Sequence, residues 1–280
     1  HYSVGWAWAM CTPFQWTKQV ASHWGGTRNG TIVHWPNGID EKGGLRTQFT
    51  HCIDVAPTIL EAAGLPEPTM VNGVQQSPIE GTSMLYTFNE ASSPERHDLQ
   101  YFEMFGNRGI YDQGWSAVTK HKTPWIMVGG DMPAYDDDVW ELYDATSDYS
   151  QAVDLSKDHP EKLANLQRKW LIEATKFNVL PMDDRTAERL EPKLAGRPTL
   201  VHGNTQKFYP GMGRLSENSV VSIKNKSFSV TAEVDVPAAG IDGVIIAQGG
   251  RFGGWAVYAK DGLLNFAYNV LGIEEFIVTS

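Results

Sequence analysis

Thr12-Pro13-Phe14-Gln15-Trp16-Thr17-Lys18-Gln19-Val20-Ala21-Ser22-His23-Trp24-Gly25-Gly26-Thr27-Arg28 concentrates more reactive chemistry than any other stretch of the 280-residue chain. Lys18 and Arg28 are cations, and His23 becomes one on protonation, within an acidic protein. Gly25 and Gly26 carry no Cβ, so the backbone there can turn sharply or come close to a ligand. Trp16, Trp24 and, further on, Trp35 are large enough to wall a cleft. Such a set suits a small anion such as sulfate or phosphate, met by Lys as a point charge and by Arg as a planar fork. The residues alone equally allow a glycine turn with solvated bases and core tryptophans.

Outward from this stretch, Thr31-Ile32-Val33-His34-Trp35 reads as a short buried strand that Pro36-Asn37-Gly38 ends. Residues 54–63 read as a helix, with Asp54 as its cap, Pro57 in the first turn and Gly64 as a left-handed stop. Val55, Ile59, Leu60 and Ala63 form its apolar face. A Pro/Gly-rich loop is expected over 65–81. Short strands follow over 101–128, with turns at Gly106-Asn107 and Asp112-Gln113-Gly114. Over 158–177 the helical period returns: Leu163, Leu166, Trp170, Ala174 and Phe177 make one stripe, opened by Asp158, Pro160 and Glu161.

Residues 181–217 lack periodicity and read as a linker that wraps between units. Beyond Asn218 the period becomes two. Phe228, Val230, Ala232, Val234 and Val236 alternate with polar residues, and further strands are expected at 244–247, 255–259, 263–269 and 276–278. Asp261-Gly262 is a hairpin signal, and the spacing suggests the start of a β-sandwich. The expected organisation is thus 1–180, a segment 181–217, and 218–280.

Composition excludes several classes. Asp and Glu outnumber Lys and Arg by 33 to 23, a formal charge of −10, which disfavours nucleic acid as a partner. No apolar run reaches the ~20 residues of a membrane helix, so no membrane partner is expected. Two cysteines, Cys11 and Cys52, cannot build a disulfide framework or a four-cysteine zinc site. The chain begins at His1 without Met and stops inside the apolar run Phe276-Ile277-Val278; both ends read as internal to a longer protein.

Signatures for α/β-hydrolase serines, P-loops, zincins and dinucleotide folds are missing. Asp136-Asp137-Asp138 has the oxygen ligands Ca²⁺ favours, but reads first as a solvated turn. His121-Lys122 reads as a surface turn. Ser83 has no neighbouring base to activate it.

Several ordered motifs together resemble the type I sulfatases, and in the C-terminal part the bacterial arylsulfatases. They are Thr12-Pro13-Phe14 through Lys18; Gly25-Gly26-Thr27-Arg28; Ile32-Val33-His34-Trp35-Pro36; the run His51 to Gly64; Pro78 to Ser83; Trp140 to Asp144 through Leu155; and Gly249 to Gly262. The resemblance implies an α/β fold: the C-terminal part of an alkaline-phosphatase-like sulfatase domain, with a small antiparallel sheet plus helix, followed by a truncated β-sandwich. It implies hydrolysis of a small-molecule sulfate ester by a formylglycine made from cysteine, with Ca²⁺ holding the sulfate. Fixed positive charge aimed at the transferring group would supply most of the acceleration.

By the same resemblance Lys18 is the catalytic lysine on a sulfate oxygen, and His23 and Arg28 are candidate substrate-binding residues. His23 stands where many relatives have Glu, and Arg28 is expected to support the loop. His51 is expected to be structural. The modified cysteine needs an arginine where Cys11-Thr12-Pro13-Phe14-Gln15 has Gln15, and no Asp-Asn metal pair is present. No metal ligand is therefore assigned. Formylglycine and Ca²⁺ are expected from a missing N-terminal half, and the chain alone is expected to be inactive. A phosphodiesterase or phosphonate hydrolase on the same scaffold, and a non-catalytic carbohydrate-binding remnant, are the alternative readings. The acidic chain suits either the periplasm or the cytoplasm of a bacterium.

Overall fold

The computed structural model describes residues 3–126, 133–185, 187–190, 194–250 and 252–280. They fall into two units, His1–Arg197 and Pro198–Ser280. In the first, chain order gives helices α1 (Val4–Cys11), α2 (Trp24–Thr27) and α3 (Val55–Ala62), then a small hairpin of β1 (Met70–Val71) and β2 (Val74–Gln75). Strands β3 (Leu99–Met104), β4 (Asn107–Asp112), β5 (Trp115–Thr119) and β6 (Trp140–Asp144) follow, and then helix α4 (Pro160–Lys176).

Two tight turns build the main sheet. Phe105 and Gly106 have φ of 55° and 84°, and Gln113 and Gly114 have 49° and 85°. Two successive positive-φ residues match the right-handed twist of the strands they join. The sheet is antiparallel throughout, in the order β3-β4-β5-β6. Its register sets Ile110 opposite Ala117, and Ala117 opposite Leu142, so all three share one face. Leu166, Trp170 and Ala174 of α4 close on that face and form the core with them. The Trp170 indole N–H donates to the Phe102 carbonyl at 3.1 Å, which ties the helix to strand β3. The expected antiparallel sheet with its helix is therefore present.

The opposite face of the sheet is also covered. A Cβ on Gly109 would lie 2.9 Å from the Ser22 carbonyl oxygen, so the backbone of the Lys18 segment rests directly on β4. Phe49 stacks on Tyr111 with ring centroids 3.9 Å apart on the same side. Covered on both faces, β4 is buried along its whole length.

Several local expectations are corrected. Residues 31–35 form no strand, and Ile32 is 96% exposed, because no described segment supplies a ladder for them. Helix α3 exists and ends at Gly64 with φ of 65°, yet Val55 and Ile59 face solvent. Its buried residue is Thr58, which donates to the Asp54 carbonyl and accepts from Met84 N–H. Asp54 does not cap α3 with its side chain. His159, not Asp158, precedes α4, and no side chain caps it. Within 65–81, Asn72 and Gly73 turn the β1-β2 hairpin with φ of 50° and 80°.

The second unit is an antiparallel meander of β7 (Gly243–Gly250), β8 (Gly253–Lys260), β9 (Leu263–Val270) and β10 (Glu274–Thr279). Asp261 and Gly262, with φ of 52° and 76°, close its β8-β9 turn as the sequence suggests. Residues 228–236 alternate in character but form no strand and are exposed, so alternation there is not matched by pairing. No helix among the described residues is long and apolar enough to cross a membrane.

Packing of α4 on the sheet and exposure of the outer face of α3 give truncations to alanine unequal costs. Leu166→Ala, deep in the α4 contact, is expected to lower unfolding free energy by about 2–5 kcal/mol. Ile59→Ala, on the open face of α3, is expected to stay within about 0.5 kcal/mol. Urea denaturation of the two variants measures both, and equal losses would contradict it.

Candidate functional site

Lys18 sits at the corner of a tight turn in which Val20 N–H donates to the Thr17 carbonyl at 3.1 Å. Gln19, at the third position, has φ of 77°, and Trp16 before the turn has φ of 65°. A turn with this pattern favours glycine at its third position, so Gln19 there, like Trp16 before the turn, stores strain that the surroundings must offset. Val20 provides one anchor, being fully buried. Lys18 itself is exposed, and no hydrogen bond or ion pair engages its ammonium among the described residues. The Lys120 ammonium lies 4.9 Å from the Trp16 ring centroid and brings a second cation to this loop.

The glycine pair acts on the chain's own backbone. A Cβ on Gly25 would lie 2.1 Å from the Trp16 carbonyl oxygen, and one on Gly26 would lie 2.0 Å from that of Val20. Gly25 N–H also donates to the Gln15 carbonyl at 3.0 Å. The turn carrying Lys18 is thus clamped against α2 with no room for a side chain between them.

His23, which precedes α2, is fully buried. Its Nε2 lies 2.9 Å from Glu141 Oε2, and its Nδ1 lies 2.9 Å from Ser22 Oγ. A carboxylate only accepts, so Nε2 donates to Glu141, while Ser22 Oγ partners Nδ1. Burial would raise the Glu141 pKa, but the hydrogen bonds from His23 and Tyr143 outweigh it and hold the carboxyl below its ordinary value. The Arg28 guanidinium carbon lies 4.2 Å from the Tyr149 ring centroid, 4.5 Å from that of Trp24 and 5.3 Å from that of Phe14. Its Nη1 donates to the Tyr149 carbonyl at 3.2 Å. Burial lowers its pKa, opposed by the Tyr149 hydroxyl. Aromatic faces attract a guanidinium, and these hold Arg28 against the end of the clamp.

Lys18, His23 and Arg28 therefore belong to one built segment, with Lys18 open and His23 enclosed. Three further participants lie outside the segment, Glu141, Tyr143 and Gln151, and Gln15 within it joins them. Gln15 Nε2 donates to the Gln151 carbonyl at 2.5 Å and to the Tyr143 hydroxyl at 3.2 Å. Gln151 in turn accepts from Trp24 N–H at 2.9 Å and donates to Ser116 Oγ at 3.1 Å. The available signal was the strand Trp140-Glu141-Leu142-Tyr143-Asp144. Its period of two puts Glu141 and Tyr143 opposite the core-facing Leu142.

Three other polar groups complete the picture. His51 accepts from Ile53 N–H, while Asp54 accepts from His51 N–H at 2.7 Å, Thr82 N–H at 2.7 Å and His97 Nδ1 at 2.8 Å. Burial lowers the His51 pKa, and neighbouring His97 adds to this. His121 and Lys122 are buried, which corrects the surface-turn expectation: His121 Nδ1 is 2.9 Å from Asp138 and its Nε2 is 3.3 Å from Asp184. Asp138 also pairs with Arg108, so the acidic run is not wholly solvated. Cys11 and Cys52 are both free.

No cluster of three or more His, Cys, Asp or Glu suited to a metal ion occurs among the described residues. Ca²⁺ takes six to eight oxygens, and the donor sets described here do not fit it.

No family model matches the chain. Over 192 residues it is 28% identical to an uncharacterized sulfatase of Schizosaccharomyces pombe, covering 68% of this chain and 32% of that relative. This match supports a sulfatase-family relationship. The chain spans about a third of the sulfatase's length. Two solved structures are also similar. One comes from work on the metabolism of multiple glycosaminoglycans by Bacteroides thetaiotaomicron, at 22% identity over 56% of this chain and 31% of that one, with a TM-score of 0.41. The other is a crystal structure of Ps i-CgsB, at 20% identity over 67% of this chain and 37% of that one, with a TM-score of 0.47.

The Asp54–His97 pair makes a prediction on pH. Burial alone would lower the His97 pKa, but Asp54 raises it above 6.5. Burial alone would raise the Asp54 pKa, but its donors lower it below 3.8. The raised histidine stabilises below pH 6.5 and loses this contribution as pH climbs through its folded value. The lowered aspartate stabilises above pH 3.8 and loses this as pH falls through its folded value. Between those bounds both contribute. The urea midpoint is expected to fall as pH rises above about 6.5, and His97→Gln is expected to weaken that fall. An unchanged slope in the variant would contradict it.

Proposed function

We propose that the chain is part of a sulfate-ester hydrolase in which Lys18 faces the sulfate. The observation that carries this reading is an exposed ammonium on a strained turn clamped from below by Gly25 and Gly26. A cation held in place before the reaction does not have to reorganise as charge develops on the sulfonyl or leaving oxygen. The sequence similarity to a sulfatase supports the choice of ester. His23 and Arg28 are the remaining candidates for contact with the ester. In the geometry described, Arg28 offers a partly open guanidinium and His23 acts from beneath.

No donor set among the described residues fits Ca²⁺, and no cysteine of this chain has the setting a formylglycine needs. Both would come from residues outside it, and the 280 residues alone would then be inactive. The substrate class is a small sulfate ester, with Trp16 available to flank an aryl group.

The test is hydrolysis of an aryl sulfate by the full-length protein with Ca²⁺ supplied, wild type beside Lys18→Ala. Loss of one such charge-stabilising donor is expected to lower kcat about 100- to 1,000-fold. The melting temperature should not change, since the ammonium is exposed. Equal turnover by the two proteins would return Lys18 to a solvated surface lysine.

A further inference from the structure

We propose that Glu141 is a positioning residue: acting through His23 and Tyr143, it fixes the turn that presents Lys18. The proposal rests on the reading of Lys18 given above. Glu141 leaves strand β6 on the face opposite α4, where the Lys18 segment lies. Its Oε2 accepts from two directions, from His23 Nε2 at 2.9 Å and from the Tyr143 hydroxyl.

The first direction controls the clamp. His23 is followed at once by Trp24, Gly25 and Gly26, and the two glycines press on the carbonyl oxygens of Trp16 and Val20. Contact between backbone and backbone leaves no flexible side chain to absorb a shift. A displacement of His23 therefore reaches the Lys18 turn directly. The second direction controls the entry to that turn: the Tyr143 hydroxyl donates to Glu141 and accepts from Gln15 Nε2 at 3.2 Å. One carboxylate thus fixes both ends of the residue 15–20 loop. His23 is fully buried, with Ser22 and Glu141 occupying its two ring nitrogens. It serves as a rigid strut between strand and loop. The carboxyl stays ionised because its two donors outweigh the effect of burial. None of these partners touches the core face, so the sheet and α4 do not depend on the link.

The experiment compares Glu141→Ala and Glu141→Gln with the wild type by amide hydrogen exchange on the full chain. In Glu141→Ala, exchange at Val20 and Gly25, whose amides donate to the Thr17 and Gln15 carbonyls, is expected to rise at least tenfold, while that at Ile110, Ala117 and Leu142 stays unchanged. Glu141→Gln keeps a carbonyl acceptor for His23 and is expected to restore most of the protection. Unchanged exchange in the loop, or an equal rise throughout the sheet, would overturn the proposal. A second arm measures aryl sulfate turnover for Lys18→Ala, Glu141→Ala and the double variant of the full-length protein. If Glu141 acts through Lys18, the double variant is no slower than Lys18→Ala alone. Fully additive losses would overturn it. If Lys18→Ala has no effect but the loop still loosens in Glu141→Ala, the reading of Lys18 fails and the positioning of the loop stands.

Discussion

A four-stranded sheet that must be covered on both faces governs the first unit. Side chains alternate along each strand, so β6 sends Leu142 toward α4 and sends Glu141 and Tyr143 the other way. One face closes by apolar packing against Leu166, Trp170 and Ala174. The other closes with backbone and buried polar groups, and there Gly109 admits the Ser22 backbone at a distance no side chain would allow. The core thus settles where the polar segment can sit, and that segment carries the exposed lysine.

The polar side is bound by hydrogen bonds of long sequence separation. Gln15 reaches Gln151 across 136 positions and His23 reaches Glu141 across 118. Removing one member would leave a buried donor or acceptor unmatched, at about 1–3 kcal/mol each. Such a network holds a turn in one place more firmly than apolar contact does, since its members accept only one arrangement. This explains how Trp16 and Gln19 persist in backbone conformations that their side chains disfavour.

How much of this was legible from the sequence follows from where each element finds its partners. Helix α4 was legible because its stripe of Leu166, Trp170 and Ala174 recurs at the helical period. The turns at Gln113-Gly114 and Asp261-Gly262 were legible because turn chemistry is local. Asn72-Gly73 carries the same signal inside a stretch whose Pro/Gly content reads as loop. Residues 31–35 and 228–236 have a strand-like composition but form no strand, because a strand needs a neighbour, which composition cannot supply. The burial of His121-Lys122 is not legible locally, because Asp138 and Asp184, which make it tolerable, lie far along the chain. In the candidate segment, Lys18, His23 and Arg28 stand out as types and spacings. Glu141 and Gln151 do not, since nothing near them in sequence reveals what they grip.

Sulfate and phosphate esters differ chiefly in charge, and a fixed lysine serves either. The most direct measurement is therefore the kcat/KM of the full-length protein, with Ca²⁺ present, for an aryl sulfate and for the phosphate ester of the same phenol. A sulfate-ester hydrolase predicts the larger value for the sulfate. Turnover of the phosphate ester with none of the sulfate would contradict the account and place the protein with the phosphodiesterases.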